Sequence, residues 1–278
     1  MAAPAETNGA DAAGTPHATG FPGAEVVADS VGKAFRRGGR RTVALAGVSM
    51  RVRAGELVCL LGPSGCGKST LLRIIAGALP ADEGTVTVGG RLVTGPSPDR
   101  GMLFQTPMLF PWLTTRNNIL FGPRAQRAAR RHERDDPELE EETAALLNQV
   151  GLAVFGDAFP HELSGGMQHR AAFARALAAR PSLLLMDEPF GALDAITRER
   201  MHEFLLGIWD KHRTTIIFVT HDIEEAILLG DRVAVMEGRP PGIGEVIDIP
   251  LSRPRHALDT DTEVFLNPRR RIRALLRS

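Results

Sequence analysis

Apolar residues fall along this chain in two patterns. Short unbroken runs predict strands buried on both faces. One is Leu57-Val58-Cys59-Leu60-Leu61, within a strand over 56–61 that ends at Gly62. Another is Leu183-Leu184-Leu185-Met186, which ends at Asp187. The segments 43–52, 102–104, 215–219 and 233–236 also read as strands, as does 85–88, closed by a tight turn at Gly89-Gly90. The second pattern is helical. Leu71, Leu72, Ile74 and Ile75 share an inward face between Gly67 and Gly77. Asp136-Pro137, followed by Glu138, Glu140, Glu141 and Glu142, supplies a cap, a first-turn proline and acidic early turns. Its apolar face is Ala144, Leu146, Leu147 and Val150, and Gly151 closes it. A further helix runs over 168–179. Strands on both sides of a helical stretch at about 107–180 predict an α/β chain with a mostly parallel sheet.

Composition narrows the options. The 278 residues allow one or two lobes, and 43% hydrophobic residues suffice for a sizeable core. The formal net charge is +0, which argues against a dedicated nucleic-acid binder. Lys is scarce, 3 residues against 30 Arg, so a lysine inside a glycine loop stands out. Cys59 and Cys66 make no disulfide framework and no zinc spacing, which fits a reducing compartment. No run of 18 apolar residues occurs, so the chain is not expected to cross a membrane itself. Residues 1–24 contain neither Lys nor Arg, are rich in Ala, Gly, Pro and Thr, and are expected to form a disordered tail.

The candidate chemistry begins at Gly62-Pro63-Ser64-Gly65-Cys66-Gly67-Lys68-Ser69-Thr70. The spacing is G-x-x-x-x-G-K-S, placed between a predicted strand and a predicted helix. Glycines let backbone N–H groups turn toward phosphates, Lys68 reaches the β- and γ-phosphates, and Ser69 binds Mg²⁺. The helix start adds a positive end. Asp187 closes an apolar strand, so its charge points out of the sheet into the ligand crevice, where it is expected to hold Mg²⁺. Glu188, one residue on, is the candidate base for the attacking water.

Between these motifs lies Leu163-Ser164-Gly165-Gly166-Met167. A phosphate loop, this second glycine turn and an acidic strand end, in that order, resemble the ATP-binding subunits of ABC transporters from about Phe35 to Met236. The resemblance implies a RecA-like P-loop NTPase core with an antiparallel β-subdomain and a helical insert at about 107–180. The ATP-binding domain would span 25–240 and a C-terminal extension 241–278. It implies that Ser164, Gly165 and Gly166 meet the γ-phosphate of ATP held by another copy, which gives a head-to-tail homodimer around two ATP molecules. Thr220-His221-Asp222 matches the switch histidine, and Gln105 matches the glutamine that ligates Mg²⁺ or orients water. Pro189-Phe190-Gly191-Ala192-Leu193-Asp194 matches the loop with Asp194 at the subunit contact. His169 departs from the more usual Gln; no loss of function is expected, though the residue could tune the helix's contact with the Gln105 segment.

The chain has no Tyr, so Phe35 is the candidate for stacking on adenine; an ordinary core phenylalanine is the other reading. Thr106-Pro107-Met108-Leu109-Phe110-Pro111-Trp112-Leu113 either packs within the insert or forms a groove for a coupling helix of a separate membrane permease subunit. Arg124, Arg127, Arg130, Arg131 and Arg134 read as a solvated face or a patch near anionic lipid, and Arg269-Arg270-Arg271 is equally open. The wording of 109–113, 187–194 and 253–255 is similar to nitrate, sulfonate and taurine importers. That likeness implies a peripheral ATPase at the cytoplasmic face of the inner membrane, served indirectly by a solute-binding protein. The alternative from another class is a soluble ABC-type ATPase acting on nucleic acid or ribosomes.

Overall fold

The computed structural model describes residues 23–129, 137–191, 193–238, 240–255 and 262–277. All but the end of the expected tail, and Arg130, Arg131, Arg134, Asp136 and Ala192, lie outside the described residues.

In chain order the strands are β1 (Val26–Arg37), β2 (Arg40–Val52), β3 (Leu57–Leu61), β4 (Glu83–Val88), β5 (Arg91–Leu92), β6 (Arg100–Leu103), β7 (Leu183–Asp187), β8 (Thr215–Thr220), β9 (Arg232–Gly238) and β10 (Pro241–Asp248). The α-helices are α1 (Lys68–Ala76), α2 (Thr115–Ala129), α3 (Pro137–Gln149), α4 (Gly165–Ala178), α5 (Ala195–His212), α6 (Ile223–Leu229) and α7 (Glu263–Leu275).

Two sheets form. The larger has the order β10-β9-β3-β8-β7-β6, parallel except for β10 against β9. Every residue of β3, β7 and β8 is buried, as the unbroken apolar runs require of strands covered on both faces. The smaller sheet, β2-β1-β4-β5, is antiparallel. Helix α1 packs in one core with both sheets through Leu71, Leu72, Ile74 and Ile75, against Val86 and Val88 of β4 and Leu183 and Leu185 of β7. A second core carries Phe173 and Leu177 of α4, Leu205 and Trp209 of α5, Ala226 and Ile227 of α6, and Phe265 and Ile272 of α7. A third joins α2, α3 and α4 through Ile119, Leu147, Val150, Ala171 and Ala174. Helix α4 therefore belongs to two cores.

Several elements exceed the sequence expectation. β1 was not anticipated, nor were β10, α5, α6 and α7. β1 carries Ser30 at φ 52 and register shifts between Ala28 and Lys33, so its polar–apolar alternation is broken. Phe104 lies beyond β6 and is 38% exposed. Arg269 and Arg270 of α7 pair with Glu224 at 2.7 Å and Glu263 at 3.3 Å, and Arg271 pairs with Glu245. Arg269 and Arg271 thus tether the C-terminal helix to α6 and β10, whereas the Arg270 pair lies within α7. Arg124 pairs with Glu140 at 2.8 Å, and Arg116 lies 3.9 Å from the same carboxylate.

Candidate active site

β3 ends at Leu61 and the chain wraps through 62–67 before α1 starts at Lys68. The glycines are demanded by space as well as by torsion. A Cβ on Gly67, at φ 104, would sit 2.4 Å from the Ala44 carbonyl oxygen, and one on Gly62 would sit 2.6 Å from that of Met236. Pro63, Ser64 and Gly65 form the exposed rim. Lys68 is 6% exposed, and its Nζ donates to the carbonyls of Gly62 at 2.7 Å and Pro63 at 3.0 Å. The ammonium is therefore held at the mouth of the loop by groups of the loop itself. Cys66 is buried beneath it, and burial pushes its thiol up from the ordinary value despite the neighbouring Lys68. It fills space as a neutral thiol, as does the fully buried Cys59. Thr70 follows on the first turn of α1, half-buried.

Sheet order gathers the next groups. β6, β7 and β8 are neighbours with aligned carboxyl ends, so Gln105, Asp187-Glu188 and Thr220-His221 emerge along one edge. Ser69 Oγ donates to Asp187 Oδ1 at 2.8 Å, which joins α1 to the end of β7. Glu188 holds a left-handed φ of 47, a conformation uncommon outside glycine. Its N–H donates to Val219 O at 3.1 Å, and its carbonyl accepts from Gly191 N at 3.2 Å. The carboxylate turned by this backbone meets His221, Oε2 to Nδ1, at 3.0 Å. Gln105 is exposed and borders the same space: a Cβ on Gly191 would lie 3.6 Å from Gln105 Nε2 and 3.8 Å from Glu188 Oε2.

The other glycine turn lies elsewhere. Ser164 caps α4, its hydroxyl accepting from Met167 N at 3.4 Å. With Gly165 and Gly166 it lines a groove of about 690 Å³ that also takes in Arg170, Asp194, Thr197 and Arg200. No residue of the phosphate loop lines that groove. Asp194 caps α5 by accepting from Thr197 N at 3.0 Å, and that backbone bond holds its carboxyl below the usual range.

Phe35 is 43% exposed on β1, so it is not a core residue. Lys33, paired to Asp82 at 2.7 Å, lies 5.9 Å from its ring centroid. The stretch after Gln105 also faces outward, with Met108 59% and Trp112 71% exposed. Phe110 packs on Trp112 at 5.5 Å and Phe121 at 4.5 Å, under the guanidinium of Arg175.

Sequence reasoning missed what holds this surface in place. Buried Asn118 accepts from Phe110 N and donates to Phe110 O and Leu113 O, and Arg175 donates to Met108 O at 2.7 Å. A polar side chain on the buried face of a helical segment was the available signal. His169 is buried on α4 against the Pro189 carbonyl, and burial lowers its pKa from 6.5.

The family model "ABC transporter" matches residues 45–191. The nitrate import ATP-binding protein NrtD of Synechocystis sp. is 49% identical over 75% of this chain and 76% of its own length. The aliphatic sulfonates import ATP-binding protein SsuB 2 of Burkholderia lata is 48% identical over 82% and 79%. The bicarbonate transport ATP-binding protein CmpD of Synechocystis sp. is 46% identical over 76% and 74%. Among solved structures, the dimeric post-hydrolysis state of the ATP-binding cassette MJ0796, bound to ADP and Pi, superposes with a TM-score of 0.71 at 30% identity, over 82% of this chain and all of that one.

Proposed function

This chain belongs to the ABC transporter family, and from that premise we propose that it is the ATP-hydrolysing subunit of an importer for a small anion. The supporting observation is the Ser69–Asp187 hydrogen bond at 2.8 Å beside the Glu188–His221 contact at 3.0 Å. A phosphate loop and a water-activating pair thereby share one sheet edge. The relatives named for nitrate, aliphatic sulfonates and bicarbonate all serve small oxyanions, and taurine shares the sulfonate group. Their names also favour transport over an ATPase acting on nucleic acid or ribosomes.

In this reading the backbone of 62–67, with Lys68 and Thr70, binds the phosphates, and Phe35 stacks on adenine through its exposed face. Ser69, Asp187 and Gln105 are hard oxygen donors that suit Mg²⁺. Among the described residues no cluster of three or more His, Cys, Asp or Glu is placed to hold a metal, so phosphate oxygens would complete its shell. Mg²⁺, when bound, neutralises charge on the phosphate tail. Glu188 takes the proton of the attacking water on its carboxylate. His221, fixed by that carboxylate, turns its other ring nitrogen to the γ-phosphate side. Ser164, Gly165 and Gly166 supply the opposite wall from a second copy, in a closed two-fold homodimer.

The unit 25–240 holds all these groups, with 107–180 as its helical insert and 241–278 as an extension. Among the described residues no helix is long and apolar enough to cross a membrane. The aromatic surface at Phe110 and Trp112 receives the membrane permease subunits at the cytoplasmic face. ATP closes the dimer because it binds the closed state better than the open one.

The test is ATPase activity of the reconstituted complex, with a solute-binding protein presented with nitrate, bicarbonate, taurine and alkyl sulfonates. Stimulation by one of these is expected. Stimulation by none would remove the solute class, and absence of any ATPase activity would remove the function.

A further inference from the structure

We propose that His202 is a positioning residue for hydrolysis, fixing the turn that carries Glu188 against the turn that carries His221. The inference rests on the roles assigned to those two residues above. His202 sits on α5, 8% exposed, among Met201, Leu205 and other apolar members of the core beneath the sheet. A polar ring in that place needs a partner. It has one: Nε2 lies 2.7 Å from Glu225 Oε1, and the Glu225 side chain is itself 9% exposed.

Glu225 is the hub of the second turn. Its Oε2 accepts from the Thr220 hydroxyl. That hydroxyl oxygen in turn accepts from Asp222 N at 3.0 Å. Asp222 then caps α6, accepting from Glu224 N at 2.8 Å and Glu225 N at 3.2 Å. Both residues that flank His221 are thereby tied to one carboxylate.

The other side of the His202 ring packs against Phe190, 5.7 Å between centroids. Phe190 is 2% exposed and is two residues past Glu188. The Gly191 N to Glu188 O bond at 3.2 Å makes that segment a compact turn. One imidazole thus touches both turns, one by a hydrogen bond and the other by ring packing.

An apolar residue at 202 would fill the space but would leave Glu225 Oε1 without a donor in a buried site. A buried carboxylate in that position draws in water or turns away, and the Thr220 hydroxyl turns with it. The consequence lands on the 3.0 Å contact of Glu188 with His221, where a displacement of about 1 Å costs on the order of 10²-fold in rate. Nucleotide binding through the phosphate loop uses none of these bonds. The expected signature is therefore a loss in kcat with KM for ATP preserved. Glutamine supplies an N–H at similar reach and is the conservative replacement.

The experiment measures kcat, KM for ATP and melting temperature on the full chain for His202→Ala, His202→Gln, Glu225→Gln and Glu188→Gln. His202→Ala is expected to lower kcat by about tenfold or more with KM within about twofold, and His202→Gln to restore most of it. Glu225→Gln, which keeps volume, is expected to behave as His202→Ala and covers the case in which that variant does not fold. Wild-type kcat in a folded His202→Ala or Glu225→Gln overturns the inference. So does an equal loss in His202→Ala and His202→Gln with KM rising in step. Full turnover in Glu188→Gln would instead overturn the role of Glu188. An inactive Glu188→Gln beside a fully active His202→Ala would sink the positioning role alone.

Discussion

Glu188 Oε2 lies 3.0 Å from His221 Nδ1 across 33 residues of sequence. β7 and β8 bring them together as parallel neighbours whose paired ends include Asp187 opposite Val219. The carboxylate side chain is 26% exposed and the imidazole 64%, so the pair is supported from behind and open in front. Replacing the carboxylate by an amide removes the proton acceptor and preserves the shape. Glu188→Gln is expected to lower ATP hydrolysis by roughly 10²–10⁴ and to accumulate an ATP-bound dimer, read by single-turnover hydrolysis and by size in the presence of Mg-ATP. Turnover near the wild-type rate with no such dimer would remove Glu188 from its role.

The Ser69–Asp187 bond makes a different demand. Asp187→Asn keeps an oxygen at the same reach and loses the charge. The Mg²⁺ concentration that gives half-maximal ATPase activity is expected to rise about 10–100-fold, by analogy with other supporting groups of metal sites. An unchanged Mg²⁺ titration would show that Asp187 has no part in holding the ion.

Gly67 is fixed by its left-handed φ of 104 and by the Ala44 carbonyl 2.4 Å from where a Cβ would stand. Gly67→Ala forces the loop off that carbonyl. A loss of about 1–3 kcal/mol is expected, read as a melting temperature several degrees lower, together with weaker ATP binding by titration. Gly65→Ala is strained by its φ of 82 but meets nothing within 4 Å, so it is expected to be the milder of the two.

His169 gives the stability a pH dependence of known sign. Burial lowers its folded pKa from 6.5, against a raising contribution from the Pro189 backbone. The unfolded chain therefore binds the proton first as the pH falls through about 6.5, and stability drops until the folded pKa is passed. His169→Gln keeps a donor for the Pro189 carbonyl and removes the titration. The fall in melting temperature between about pH 7.5 and 5.5 is expected to be smaller in the variant than in the wild type. His212, also shifted down by burial, leaves a residual slope. Identical slopes in wild type and variant would contradict the assignment.

The elements that hold the chemistry were legible because their physics is local. An all-buried strand reads as an unbroken apolar run, as in β3 and β7, and a glycine loop before Lys68 is a short-range signal. β1 was illegible because Ser30 and its irregular register destroy the period on which strand reading depends. β10 was hidden by Pro241, Gly242 and Gly244 in an edge strand with little buried surface. In α7 the polar run around Arg269-Arg270-Arg271 and an internal Pro268 masked a helix whose Phe265 and Ile272 are fully buried. Within the site, Lys68, Asp187 and Glu188 announce themselves by motif. The His202–Glu225 pair and Asn118 do not, because their partners are set by tertiary packing and a lone polar residue in a helix has several ordinary uses.

Ser164 and Lys68 belong to one chain but line separate spaces, the first in the groove beside Asp194 and the second at the mouth of the phosphate loop. In the proposed account the hydrolytic centre that uses both is assembled from two chains. The direct measurement is ATPase turnover per chain over a dilution series, with the dimer fraction in Mg-ATP followed by light scattering or mass photometry on the same samples. Turnover is expected to fall in proportion to the dimer fraction and to vanish with it. Undiminished turnover per chain where only monomer remains would contradict the account.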